Sequence, residues 1–258
     1  MSIRSVLLRK PSLFGNNKGM KKRFDGYYAK AVSDDGPVGV VVGTSQRGHN
    51  KKAFLQIITE HETFNLEFDQ WVRPRYGAMG PFRFCPFMQC RHKVVAMRAR
   101  ANGTIKLGGR VYNFENADGY IEGDCGKSFP QKYFWTQTHM DDLSIMASVA
   151  KIPYLGMRFT GTICIINAGG REYRLATYLG ARVRVFEANM VVVKQWRTTL
   201  EITVENATNM HPLNAPDDGN MSRTIHESVA ATVRYKMTRG KRVVFDVVST
   251  RAAYEYAE

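Results

Sequence analysis

Trp196-Arg-Thr-Thr-Leu-Glu-Ile-Thr-Val-Glu205 alternates apolar and polar residues with a period of two. Trp196, Leu200, Ile202 and Val204 fall on one face, and Arg197, Glu201, Thr203 and Glu205 on the other. A chain with that period is a half-buried antiparallel strand, because successive side chains of an extended backbone point to opposite sides. Working outward, β-branched or aromatic runs recur at 38–42, 53–59, 64–68, 94–100, 159–166, 172–178, 190–193, 229–237 and 243–248. Turn signals separate them at hairpin spacings: Asn102-Gly103, Gly108-Gly109, Gly169-Gly170 and Arg239-Gly240-Lys241. No window keeps an apolar period of 3.6 for a dozen residues, so the reading is all-β with at most one or two short helical turns.

So many strands joined by short turns call for barrels or sandwiches, which close or cover their edges. Two stretches break the pattern. Residues 71–90 hold three prolines and four phenylalanine or tyrosine rings behind Trp71, without alternation. An apolar irregular segment of that kind lines a cavity or crosses a barrel mouth, since an ordinary solvated loop is polar. Residues 206–223 are rich in Pro, Asn and Asp and read as a connection over the surface. The chain thus reads as two halves, 1–118 and 119–258, meeting near a turn at Gly119.

At 258 residues the chain is long enough for a hydrophobic core without disulfide or metal staples. Its 44% hydrophobic and 23% charged residues exclude a disordered or coiled-coil class. No stretch approaches the roughly 20 apolar residues of a membrane-spanning helix. The apolar patch in Met1–Lys10 is too short for a secretory core, so the expected location is the cytoplasm. The formal charge of +14 comes from 37 Lys plus Arg against 23 Asp plus Glu. Apart from the run Lys18–Arg23, the basic residues are scattered singly along strands, and no finger, helix-turn-helix or RNP-like signature accompanies them. Nucleic acid is therefore disfavoured as a partner, and peripheral contact with an anionic membrane is the charge-based expectation.

Cys85, Cys90, Cys125 and Cys164 have neither CxxC pairing nor zinc-ligand spacing and are expected as free thiols, with no metal. Cys90 and His92 stand at i and i+2, on one face of a strand.

The densest chemistry lies in residues 119–137, GYIEGDCGKSFPQKYFWTQ. Glu122 and Asp124, also at i and i+2, share a face, where one of two neighbouring carboxylates is pushed toward its protonated form. That suits a general acid. Ion pairs with the abundant Arg and Lys, or hydrogen bonds to turn amides beside Gly123 and Gly126, are the structural alternative.

This segment resembles the signature of the tocopherol cyclase-like family, GYIE-x-DWG-x-SFP-x-x-Y-x-W-x-Q. Residues 77–92, GAMGPFRFCPFMQCRH, resemble the family's MGPF…PFMEC-x-H, and residues 24–30, FDGYYAK, its F-x-GWYFK. Residues 144–153, 159–161, 173–178 and 221–228 continue the likeness in order, so it spans 24–228. The resemblance implies two lipocalin-like antiparallel β-barrel or sandwich halves around an apolar cavity. It further implies a cofactor-independent cyclase chemistry: a prenyl double bond is protonated and a phenolic oxygen captures the tertiary cation. Such chemistry needs an acid in a dry pocket and aromatic faces for the cation.

On that resemblance Glu122, Asp124, His92 and Glu227 are the catalytic candidates. Phe87, Met88, Gln89, Tyr120, Cys125, Phe129, Tyr133 and Trp135 are candidates for binding an apolar ligand, a prenylated quinol or terpenoid, with Phe134 a further aromatic. For His92 the alternative is a satisfied structural histidine, and for Glu227 an ion pair with Arg223. Cys125 replaces the family's Trp and Gln89 its Glu, while Tyr27 and Ala29 replace the Trp and Phe of GWYFK. A non-catalytic carrier of lipids or terpenoids and a diverged basic-surface binding protein are the other functional readings.

Overall fold

The computed structural model describes residues 22–33 and 36–258, so Met1–Lys10 and most of the basic run at 18–23 lie outside them. Among the described residues there is no α-helix, only strands and two short 3-10 turns, Gly80–Phe84 and Thr177–Leu179. No helix is long and apolar enough to cross a membrane. The strands form two antiparallel sheets.

The first sheet holds six strands in sequence order: β1 (Lys22–Ser33), β2 (Gly36–Arg47), β3 (Asn50–Thr59), β4 (Thr63–Val72), β5 (Cys90–Leu107) and β6 (Arg110–Gly126). The second contains β7 (Tyr133–Met140), β8 (Leu143–Tyr154), β9 (Met157–Ala168), β10 (Arg171–Ala176), β11 (Arg182–Phe186), β12 (Met190–Gln195), β13 (Thr198–Asn206), β14 (His211–Asp217), β15 (Asn220–Arg239) and β16 (Arg242–Ala257). Its order is β10-β9-β8-β7-β16-β15-β13-β12-β11, with β14 on β15. By compactness the described residues divide into one unit of 22–72 and 98–120 and another of 73–97 and 121–258, so β5 and β6 each contribute to both.

In the second unit, inward residues of alternating strands build the main core: Phe134 on β7, Ile145, Ala147 and Val149 on β8, Val191 and Val193 on β12, Leu200 and Ile202 on β13. The edge strand β10 and the end of β12 meet through a side chain rather than a backbone ladder. Gln195 accepts from the Ala176 amide at 3.0 Å and donates to the Arg174 carbonyl at 3.0 Å. It thereby satisfies edge groups that would otherwise be costly to bury.

Strands β7, β8 and β9 are buried on both faces. Tyr133, Trp135, Ser148, Ala150 and Ile163 point away from the main core and line a cavity. On β15 the parity changes. Ala231, Val233, Tyr235 and Met237 enter the core, yet Ile225 and Glu227, also odd-numbered, face the cavity. Register shifts against β16 between Ser228 and Val233 allow this, since a bulge moves the following residues to the other face.

Four expectations are corrected. Trp196 is not on the buried face with Leu200; it occupies the two-residue turn between β12 and β13, with φ of 53° and 82% exposure. Asn102-Gly103 is not a turn but lies inside β5, where the Gly103 backbone is pressed against the Asn65 carbonyl. Gly119 likewise lies inside β6, packed on the Phe68 ring, and no turn occurs there. Residues 206–223 are not a plain surface connection, because β14 and the start of β15 form a hairpin there. The hairpin turns at Asp218-Gly219, both with positive φ, a pairing that two-residue turns favour.

Candidate active site

The cavity lies within the second unit and encloses about 310 Å³. One wall is the outer face of the ten-stranded sheet. The other comes from Met79, Phe82, Met88 and Gln89 of the irregular segment, with Cys90 and His92 at the start of β5 and Glu122 and Asp124 near the end of β6. The apolar irregular segment therefore covers a cavity, and its apolarity has a structural cause.

That segment is fastened from below. Arg174 on β10 ion-pairs with Glu172 at 2.9 Å and donates to the Gly77 carbonyl at 2.5 Å and the Tyr178 hydroxyl at 2.8 Å. Glu172 in turn accepts from the Arg75 amide at 2.9 Å. Tyr178 sits on the Gly80 backbone, and its ring meets Phe82 edge-on at 5.6 Å.

His92 stands between the two carboxylates of the motif. Its Nδ1 is 3.1 Å from Asp124 Oδ1, and its Nε2 is 3.4 Å from Glu122 Oε2. The second contact lacks hydrogen-bond geometry, leaving the buried Nε2 without a hydrogen-bond partner. Burial lowers the His92 pKa, but the Asp124 hydrogen bond and the charges of Glu122 and Asp124 outweigh it and raise it above the ordinary value. Burial, followed by the nearby Asp124 charge, pushes the Cys90 thiol well up, so it stays protonated and faces Asp124 Oδ1 at 3.6 Å. The side-chain oxygen and nitrogen atoms of His92, Glu122 and Asp124 lie within 4.8 Å of one another. In this structure the ring bridges the two carboxylates, with one nitrogen directed to each.

Across the strands, Glu227, Glu255, Trp135, Ser148 and Ile163 stand opposite one another in register from β15 through β16, β7 and β8 to β9. All five line the cavity. Glu255 is 8% exposed and accepts a hydrogen bond from the Tyr133 hydroxyl. Burial first, and then the charges of Glu122 and Asp124, raise its pKa from 4.5 to about 8. Burial also raises Glu227. Arg223, named above as an alternative partner for Glu227, is committed to the carbonyls of Pro130 and Gln131 at 2.8 and 2.6 Å.

Of the residues singled out in the sequence, the cavity brings together Glu122, Asp124, His92, Glu227, Met88, Gln89, Phe129, Tyr133 and Trp135. It does not include three others. Phe87 is 84% exposed at a turn with φ of 58°. Cys125 is exposed, as the residue of opposite parity between Asp124 and Gly126 on β6. Tyr120 belongs to the first unit. Phe134 is fully buried in the main core, edge-on to Tyr254 at 5.4 Å. Gln89 donates to the Phe129 carbonyl at 3.3 Å, tying the two cavity segments together.

Glu255 escaped the sequence reading. Its signal is Ala253-x-Glu255-x-Ala257, an acid on a face of small residues.

The sequence profile of the tocopherol cyclase-like family matches residues 25–257. The chain belongs to this family. The match covers both sheets and every cavity residue named above. Among solved structures, this tocopherol cyclase-like chain is similar to kievitone hydratase from Nectria haematococca, at 9% identity and a TM-score of 0.44, covering 90% of this chain and 88% of that one. No curated protein sequence matches it.

The raised Glu255 carboxyl makes stability depend on pH. Between about 4.5 and 8 the unfolded chain has lost this proton while the folded chain retains it. The contribution is therefore complete below 4.5 and is lost as pH rises toward 8. Its size is on the order of 5 kcal/mol. Urea unfolding across this range should show wild type losing stability more steeply than Glu255→Gln, which carries no titrating group there. Parallel profiles would show that Glu255 does not hold its proton.

Proposed function

We propose that this protein binds an apolar small molecule carrying a prenyl double bond and a hydroxyl group, and catalyses acid-promoted addition of the O–H across that bond. Ring closure of a prenylated quinol is the intramolecular form of the reaction. The observation that carries this reading is the convergence of four carboxyl groups and one histidine on a cavity walled mainly by Phe82, Phe129, Tyr133, Trp135 and aliphatic side chains, with Gln89, Ser148, Thr162 and Asn214 as its further polar groups. An apolar site keeps a carboxyl protonated near neutral pH and so available to protonate an alkene, and ring faces stabilise the tertiary cation that follows. A cavity of about 310 Å³ is at the lower end for small-molecule sites, which suits an aromatic head with a short prenyl tail. The basic surface, with a formal charge of +14, favours collection of such a substrate from an anionic membrane.

The test begins with native mass spectrometry and organic extraction of the purified protein, followed by assay of a panel of prenylated hydroquinones. A bound quinol, chromanol or terpenoid and its turnover are expected. Glu122→Gln and Asp124→Asn should each lower turnover by about 10² or more while leaving affinity within a few-fold. Tight binding without turnover in wild type would make the protein a carrier. Salt-sensitive surface binding with no uptake of the panel would reduce it to a basic binding protein.

A further inference from the structure

The acid groups of the cavity are divided between its two walls, and the division has chemical content. Glu255 projects from β16 on the sheet wall, beside Trp135 and opposite Glu227, with one carboxyl oxygen taken by the Tyr133 hydroxyl. The Tyr133 ring is itself fixed edge-on to Phe129 at 6.0 Å. Nothing cationic contacts this carboxyl among the described ion pairs. On the other wall, Glu122 and Asp124 flank His92, so a positive partner is built in, and its buried Nε2, 3.4 Å from Glu122, makes no hydrogen bond. A carboxyl kept among apolar and aromatic groups is suited to giving a proton, and a carboxylate beside an imidazole is suited to receiving one.

We infer that Glu255 is the proton donor of the addition reaction, with Tyr133 as its positioning residue, and that Glu122 with His92 receives the proton of the attacking hydroxyl. This inference rests on the addition reaction proposed above. The Glu255 O–H breaks as its proton joins the less substituted alkene carbon, using the π electrons to make the new C–H bond. The tertiary cation is captured by a lone pair of the substrate oxygen, forming the C–O bond. The proton of that oxygen passes to the Glu122 carboxylate, with His92 Nε2 holding the oxygen in place. Transfer of one proton from Glu122 back to Glu255 completes the cycle, so no proton and no electron is consumed. The other titratable groups lining the cavity with Glu255 are Glu122 and Asp124 from β6, His92 and Cys90 from β5, Tyr133 from β7 and Glu227 from β15. Burial first, and then the charges of Glu122 and Asp124, strengthen its hold on the proton.

The experiment compares wild type with Glu255→Gln, Tyr133→Phe and Glu122→Gln, first by infrared spectroscopy at neutral pH without ligand and then with geranylhydroquinone as probe. The wild-type spectrum should contain the carbonyl stretch of a protonated carboxylic acid. That band should vanish in Glu255→Gln, shift in Tyr133→Phe and persist in Glu122→Gln. Turnover of the probe should fall about 10²- to 10⁴-fold in Glu255→Gln with affinity retained. In Tyr133→Phe the alkaline limb of the pH profile should move, which loss of packing alone would not cause. A band that survives Glu255→Gln, or turnover of that variant at the wild-type rate, overturns the assignment. A band belonging to Glu255 in a protein that turns over no prenylated hydroquinone overturns the addition reaction, and the catalytic role falls with it.

Discussion

Replacing Arg174 by alanine is expected to cost about 3–5 kcal/mol of stability and to weaken ligand binding in the cavity. The Arg174 and Glu172 side chains are only 8% and 12% exposed. Removing the guanidinium leaves a carboxylate with little solvent and strips the Gly77 carbonyl and the Tyr178 hydroxyl of a donor. Breaking a buried pair from one side is far more damaging than never having built it, because the remaining charge has lost its compensation. The loss also reaches the cavity. Met79 and Phe82 line it from the segment that Arg174 holds. Arg174→Lys should recover only part of the stability, since an ammonium cannot reproduce the planar fork that reaches carboxylate and carbonyl together. Urea unfolding gives the stability change, and quenching of tryptophan fluorescence by an added prenylated quinol gives the affinity. A change below about 1 kcal/mol, the range of exposed pairs, would show that the clamp is solvated.

Gly126→Ala is the second large effect, with an expected loss of about 3 kcal/mol or more. A Cβ at this position would stand 2.2 Å from the Gln89 carbonyl oxygen and 2.8 Å from the Cys90 Cα. Both are backbone atoms and cannot rotate away. The same Gln89 carbonyl accepts from the Lys127 amide at 2.9 Å, so the end of β6 would be levered off the start of β5. His92 and Asp124 are held together by that pairing, and the 3.1 Å contact between them should open. Gly123→Ala, three residues earlier in the same motif, meets nothing within 4 Å and should stay within about 0.5 kcal/mol. Thermal unfolding of the two variants side by side separates the readings. Equal, small losses would mean that β5 and β6 do not approach so closely at the site.

Much of the fold was legible because strand periodicity is local. Leu200 and Ile202 announced a buried face by alternation alone and are fully buried. Gly108-Gly109 and Gly169-Gly170 marked turns through their tolerance of positive φ, which both pairs adopt. Trp196 misled for a physical reason. Its parity fits the apolar face, but the strand has not yet begun there, and its indole instead donates to the Leu179 carbonyl at 3.3 Å from an exposed turn. Asn102-Gly103 misled in the opposite sense, since a glycine can also admit a neighbouring backbone within a strand. The Asp218-Gly219 turn was present in the sequence, hidden in a polar stretch that composition alone marked as a surface connection.

The sequence by itself determined the all-β class, the strand-rich segments and the motif that marks the chain as tocopherol cyclase-like. It also placed Cys90 with His92 and Glu122 with Asp124 on common faces, because an i, i+2 relation in an extended chain is geometry within a few bonds. Only the tertiary structure decided which face meets which. Glu255 and Glu122 are far apart in the chain and stand on strands of different sheets, and they share one cavity only through tertiary packing. The shifted register of β15 turns Glu227 toward the cavity while Val233 enters the core, and no local propensity records that slip. The raised pKa of Glu255 is likewise a product of packing, since burial and neighbouring charges set it and both come from residues remote in sequence.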